Sequence, residues 1–85
     1  MKYIFVDESW EDYLYWQKND KRILNKINQL LKDISRTPFS GLGKPEPLKY
    51  KYQGFWSRRI DNEHRLIYRV VNDEIHIAKC RFHYE

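Results

Sequence analysis

The sequence has 85 residues, 41% hydrophobic and 16% aromatic, with sixteen Lys and Arg against twelve Asp and Glu. That length fits one domain, residues 1–85, whose rings each bury enough area to suit a small core. A single cysteine excludes an intramolecular disulfide and fits a reducing, cytoplasmic setting. No apolar run approaches the roughly 20 residues that cross a bilayer, so no membrane association is expected. The net charge of +4 is uneven: seven Lys/Arg against six Asp/Glu in residues 1–43, nine against six in residues 44–85. An excess of that size is compatible with a polyanion site and equally with an ordinary basic domain.

Tyr3 to Val6 reads as a short strand. Ser9 with Asp12 marks a helix start, followed by a helix to about Lys18 that presents Trp10, Tyr13, Leu14 and Gln17. Asn19-Asp20 breaks it, and Asp20 can cap the next helix. From Lys21 to about Arg36 the residues Ile23, Ile27, Leu30, Leu31 and Ile34 recur at helical spacing, which reads as a core-facing stripe. Thr37-Pro38 ends that helix, because the residue before proline is pushed out of the helical region.

Gly41, Gly43, Pro45 and Pro47 make the segment from Pro38 to Gly54 irregular, and long loops in compact domains often carry function. Strands are then expected at Leu48–Tyr52, Phe55–Ile60, His64–Val71 and Glu74–Arg81, with turns at Asp61-Asn62 and Asn72-Asp73. The order gives an α+β domain: a short N-terminal strand, two helices, then a mainly antiparallel sheet of about four further strands with the helices on one face.

Strand alternation separates the charged residues. Trp56, Arg58 and Ile60 share one face and Phe55, Ser57 and Arg59 the other; Leu66, Tyr68 and Val70 oppose Arg65, Ile67 and Arg69. Arg59 and Arg65 flank one turn, so they can meet on the face away from the helices. Such a pair fits a phosphate between guanidinium forks; two solvated surface arginines fit the same spacing. Glu46 lies between Pro45 and Pro47, which stiffen the backbone around its carboxylate, though a stiff surface turn accounts for it equally. Lys49 and Lys51 would project to one side of a strand. Arg81-Phe82-His83-Tyr84-Glu85 is an unusual tail, with an imidazole, the default proton-transfer group among side chains.

His64 and His76 have no metal-ligand spacing around them, and Cys80 reads as a buried thiol. No phosphate-binding glycine loop and no nucleophile elbow is present; neither metal nor cofactor is expected. One carboxylate, one imidazole and several cations suit RNA cleavage by transesterification. A base removes the 2′-OH proton, an acid protonates the leaving oxygen, and cations stabilise the phosphate.

The chain resembles the YoeB toxins of the RelE/ParE superfamily through most of its length. The likeness rests on Glu8-Ser9-Trp10, Asp12-Tyr13-Leu14-Tyr15-Trp16-Gln17, Arg36-Thr37-Pro38-Phe39, Gly43-Lys44-Pro45-Glu46-Pro47-Leu48-Lys49, Gly54-Phe55-Trp56-Ser57-Arg58-Arg59-Ile60, Glu63-His64-Arg65-Leu66 and Cys80-Arg81-Phe82-His83-Tyr84. The resemblance implies a RelE-like microbial ribonuclease fold and cleavage of mRNA in the ribosomal A site. It implies Glu46 as general base, His83 as general acid and Arg65 as stabiliser of the phosphate. Lys49 and Arg59 would bind the RNA backbone, and Tyr84 would orient the substrate. A YefM-type antitoxin, the ribosome, mRNA and a second copy of the chain are the implied partners. Glu85 departs from the pattern, which ends at His-Tyr. The alternatives are a ParE-like inhibitor of gyrase, which has no use for Glu46 and His83 together with the arginines, and a plain RNA-binding module.

Overall fold

Asp20 joins two helices without a loop. Its Oδ1 accepts the N–H groups of Arg22 and Ile23 (3.1 and 3.3 Å), donors that a helix start leaves unpaired. Its own N–H closes the preceding helix on the Trp16 carbonyl (2.9 Å). Helix α1 runs Asp7–Asn19 and helix α2 Lys21–Arg36. Ser9 works from inside the first turn of α1, its hydroxyl accepting the Val6 N–H and donating to the Val6 carbonyl (3.0 and 3.1 Å).

The computed structural model describes residues 1–83; Tyr84 and Glu85 lie outside the described residues. The strands are β1 (Lys2–Phe5), β2 (Glu46–Pro47), β3 (Trp56–Arg59), β4 (Arg65–Val71) and β5 (Glu74–Lys79). They form one sheet of order β1-β5-β4-β3-β2, antiparallel except for β1, which runs parallel to β5. This is the expected α+β arrangement. Ile27, Leu30, Leu31 and Ile34 of α2 pack with Trp16 of α1 and with Leu66, Tyr68, Ile75 and Ile77 of the sheet. Each such aliphatic side chain contributes about 1.5–3 kcal/mol on burial.

Three expectations need correction. The buried residue of the α1 face is Trp16, with Tyr13 half-buried beside it, while Gln17 is exposed and Trp10 is 46% exposed. Trp16 is drawn in because its indole N–H has a buried acceptor, the Cys80 carbonyl (2.8 Å).

Leu48–Tyr52 is not a strand. The ladder stops after Pro47, Leu48 N–H bonds back to the Phe55 carbonyl (2.9 Å), and Tyr50–Tyr52 form a 3₁₀ turn. Tyr50 takes φ +58°, so the alternation of Lys and Tyr does not put Lys49 and Lys51 on a strand face. The returning segment covers the outer sheet face, where the Tyr52 ring lies 5.9 Å from the Lys79 ammonium and Phe55 lies 5.3 Å from the Arg69 guanidinium.

The β3–β4 connection spans residues 60–64 rather than two residues. Asp61 Oδ1 shapes it by accepting the N–H groups of Glu63 and His64 (2.8 and 2.6 Å). The Asn72-Asp73 turn is as short as expected, with Val71 paired to Glu74 and Asn72 at φ +56°, a conformation asparagine tolerates.

Candidate active site

The register places the charged residues in two rows across the outer face. In one, Glu46 lies opposite Ser57, Ser57 opposite Ile67 and Ile67 opposite Lys79. In the other, two residues along, Arg59 lies opposite Arg65. Beyond Arg65 the row continues into the tail, because the Arg65 N–H donates to the Phe82 carbonyl (3.0 Å). His83 therefore follows directly after a residue bonded to Arg65. Glu46 sits two strands and two residues from Arg65, a Cα separation of about 12 Å from ladder spacings.

The side chains differ in how far they are fixed. Arg65 is half-buried, and its Nη1 donates to the carbonyls of Asp61 and His64 (2.8 and 3.0 Å). That leaves the Nε and Nη2 edge of the guanidinium to meet an anion. Arg59, Glu46 and His83 are exposed. Lys49 is exposed in the turn after β2 and, with Glu46, Pro47, Leu48 and Tyr50, lines a hollow of about 300 Å³. Structure thus brings Glu46, Arg59, Arg65 and the His83 tail to one face, with Lys49 at its margin. Tyr84 falls outside the described residues.

The support under Glu46 was not legible from spacing. Arg58 is fully buried and donates to Asp33 Oδ2 (2.6 Å), to the Tyr68 hydroxyl (3.1 Å) and to the carbonyls of Thr37, Ser40 and Leu42 (2.6, 2.8 and 3.0 Å). Asp33 also accepts the Leu42 N–H (2.9 Å). That N–H first, and then the Arg58 guanidinium, hold its carboxyl below the usual range. One ion pair so organises the loop from Thr37 to Leu42. Gly43 then passes so close to β3 that an added Cβ would stand 2.9 Å from the Arg59 carbonyl oxygen, and its φ is +80°. The one available signal was alternation, which put Arg58 on the core face, where an arginine requires a carboxylate partner.

The tail is anchored along residues 80–82. Cys80 N–H donates to Asp12 Oδ2 (3.0 Å), the Arg81 guanidinium stacks 3.4 Å over the Tyr15 ring, and Phe82 N–H donates to His64 Nδ1 (2.7 Å). Burial raises the Asp12 carboxyl and pushes the Cys80 thiol far up. Cys80 is buried, as expected for an inert thiol, and His64 is buried as well, where the sequence left surface and core open. No group of three or more His, Cys, Asp or Glu suited to a metal ion occurs among the described residues, and no helix there is long and apolar enough to cross a membrane.

Residues 5–84 match the model of a YoeB-like toxin of bacterial type II toxin-antitoxin systems. The chain belongs to that family. Toxin YoeB of Escherichia coli K12 is 64% identical over 84 residues, covering 99% of this chain and all of that protein. Among solved structures, a YoeB/ParE toxin from Agrobacterium tumefaciens superposes with a TM-score of 0.96 at 51% identity, over 99% of this chain and 100% of that one. YoeB of Staphylococcus aureus, solved in a YoeB-YefM complex and as a dimer, superposes at 0.93 in both. It is 47% and 48% identical respectively, over 99% of this chain and 98% of those. The family resemblance drawn from the motifs is therefore right.

Proposed function

We propose that this toxin is a ribosome-dependent endoribonuclease that cleaves mRNA in the A site. Glu46 takes the proton of the 2′-OH, the 2′ oxygen attacks the adjacent phosphorus, and the bond from phosphorus to the 5′ oxygen breaks. His83 protonates that leaving oxygen, giving a 2′,3′-cyclic phosphate and a 5′-OH. Arg65 stabilises the charge on the crowded phosphate. Arg59 and Lys49 hold the RNA backbone, and Tyr84 orients the nucleotide. The supporting observation is the bond from Arg65 N–H to the Phe82 carbonyl (3.0 Å), which joins the imidazole-bearing tail to the arginine row. Glu46 stands in the neighbouring row of the same face.

The YoeB-YefM complex and YoeB dimer of Staphylococcus aureus support a YefM-type antitoxin and a second copy as partners. Primer extension on mRNA translated by purified ribosomes tests the mechanism. Glu46→Gln, Arg65→Ala and His83→Ala should each slow cleavage by about 10²–10⁴-fold, with far-UV circular dichroism unchanged. Cleavage by His83→Ala at the wild-type rate would remove the general acid from the mechanism.

A further inference from the structure

Phe82 stands between the anchored part of the tail and His83, and its φ is +67°. A non-glycine residue keeps that left-handed conformation only where its surroundings hold it. Two hydrogen bonds do so. The Phe82 carbonyl accepts the Arg65 N–H (3.0 Å), a backbone bond independent of side-chain identity at that position. The Phe82 N–H donates to His64 Nδ1 (2.7 Å), which requires one side chain in one form, with a lone pair on Nδ1.

The surroundings of His64 suit that single form. Its ring is buried edge-on against Trp16, with centroids 4.8 Å apart, and its Nε2 faces Glu63 Oε1 at 3.6 Å. The proton of a neutral ring therefore sits on the Glu63 side and the lone pair on the Phe82 side. Its carbonyl accepts from Ile60 N–H and from Arg65 Nη1 (3.0 Å each). One residue thus restrains the Arg65 guanidinium through its carbonyl and the Phe82 amide through its ring.

We propose that His64 is a positioning residue: its neutral imidazole clamps the Phe82 amide, locks the left-handed turn and delivers His83 to the phosphate site beside Arg65. It touches no substrate and acts through His83, so the proposal rests on the endonuclease function above.

Nitrogen-15 NMR of the full chain reads the ring directly. An unprotonated Nδ1 and a slowly exchanging Phe82 amide are expected; a protonated Nδ1 overturns the clamp. Two variants separate acceptor from bulk. His64→Leu keeps apolar volume without an acceptor, whereas His64→Asn sets an amide oxygen at the same number of bonds from the backbone as Nδ1. In His64→Leu the Phe82 amide should exchange faster and kcat on ribosomes fall about 10–100-fold, with KM changed by less than about threefold. His64→Asn should recover most of both. In a His83→Ala background, His64→Leu should have no further effect, because the two changes remove one function; an equal fall in both backgrounds overturns the proposal. The ring and exchange data need no substrate. A wild-type chain that fails to cleave therefore sinks the endonuclease function alone. An active wild type beside a folded, fully active His64→Leu sinks the clamp.

Discussion

Replacing Arg58 with methionine removes the cation of the buried Asp33–Arg58 ion pair. The guanidinium makes five hydrogen bonds, at 2.6 to 3.1 Å, to Asp33, Tyr68, Thr37, Ser40 and Leu42. Methionine matches much of its volume and none of its donors. The buried Asp33 carboxylate would lose its main cation, and breaking a buried pair from one side costs about 3–5 kcal/mol. A chain of this length has a stability of about 4–13 kcal/mol at 0.05–0.15 kcal/mol per residue. The variant should therefore lose about a quarter or more of it, and Tm should fall by at least about 12 °C at 4–8 °C per kcal/mol. Urea titration followed by tryptophan fluorescence measures the loss, with far-UV circular dichroism as a second probe. Adding Asp33→Leu removes the stranded carboxylate and should return about 1–3 kcal/mol as coupling. A cost below about 1 kcal/mol for Arg58→Met, or strictly additive single changes, would refute the assignment of the ion pair as keystone of the loop.

Two carboxyls, buried Asp33 and half-buried Asp12, should shift stability with pH in opposite senses. Asp33 is held below its usual range, so its contribution is complete above an unfolded value of about 3.9 and is lost as pH falls through the lower folded value; Asp33→Asn should flatten that decline in urea midpoints. Asp12 is raised by burial, so it costs stability at neutral pH and the cost is relieved as pH falls through its folded value; Asp12→Asn, which keeps an acceptor for Cys80 N–H, should be neutral or stabilising at pH 7 and lose that advantage in acid. Gly43→Ala should destabilise by more than about 1 kcal/mol, since its φ is +80° and the new methyl meets the Arg59 carbonyl at 2.9 Å; cleavage should fall with it as Glu46 is displaced. Cys80, fully buried, should resist a thiol reagent at pH 8 in the native protein and react at the rate of unfolding.

Elements that depend on local periodicity were legible. The α2 stripe, the Asp20 cap and the stop at Thr37-Pro38 follow from spacing and backbone sterics, and the meeting of Arg59 with Arg65 follows from alternation around one turn. Long-range pairing was not. Nothing in Lys2–Phe5 says that it joins β5 in parallel, because pairing partners are chosen by packing rather than by strand sequence. Lys49-Tyr50-Lys51-Tyr52 alternates like a strand, yet Pro47 and the Leu48–Phe55 bond turn it into a 3₁₀ segment. For the candidate site, Glu46, Arg65 and His83 were open to proposal from residue type and family motif. The clamp on Phe82 was not, since it depends on a ring nitrogen meeting an amide eighteen positions away.

Sheet order has a consequence for synthesis. β5 follows every other strand in chain order yet lies inside the sheet, between β1 and β4. During translation β1 must wait with its edge unpaired, because its neighbour among the described strands is β5, which follows the other four in the chain. Residues 80–82, which carry the anchored turn, come off the ribosome later still. The sheet therefore stays open between β1 and β4 until β5 has been made, and the turn that carries the Phe82 bond to His64 can form only after it.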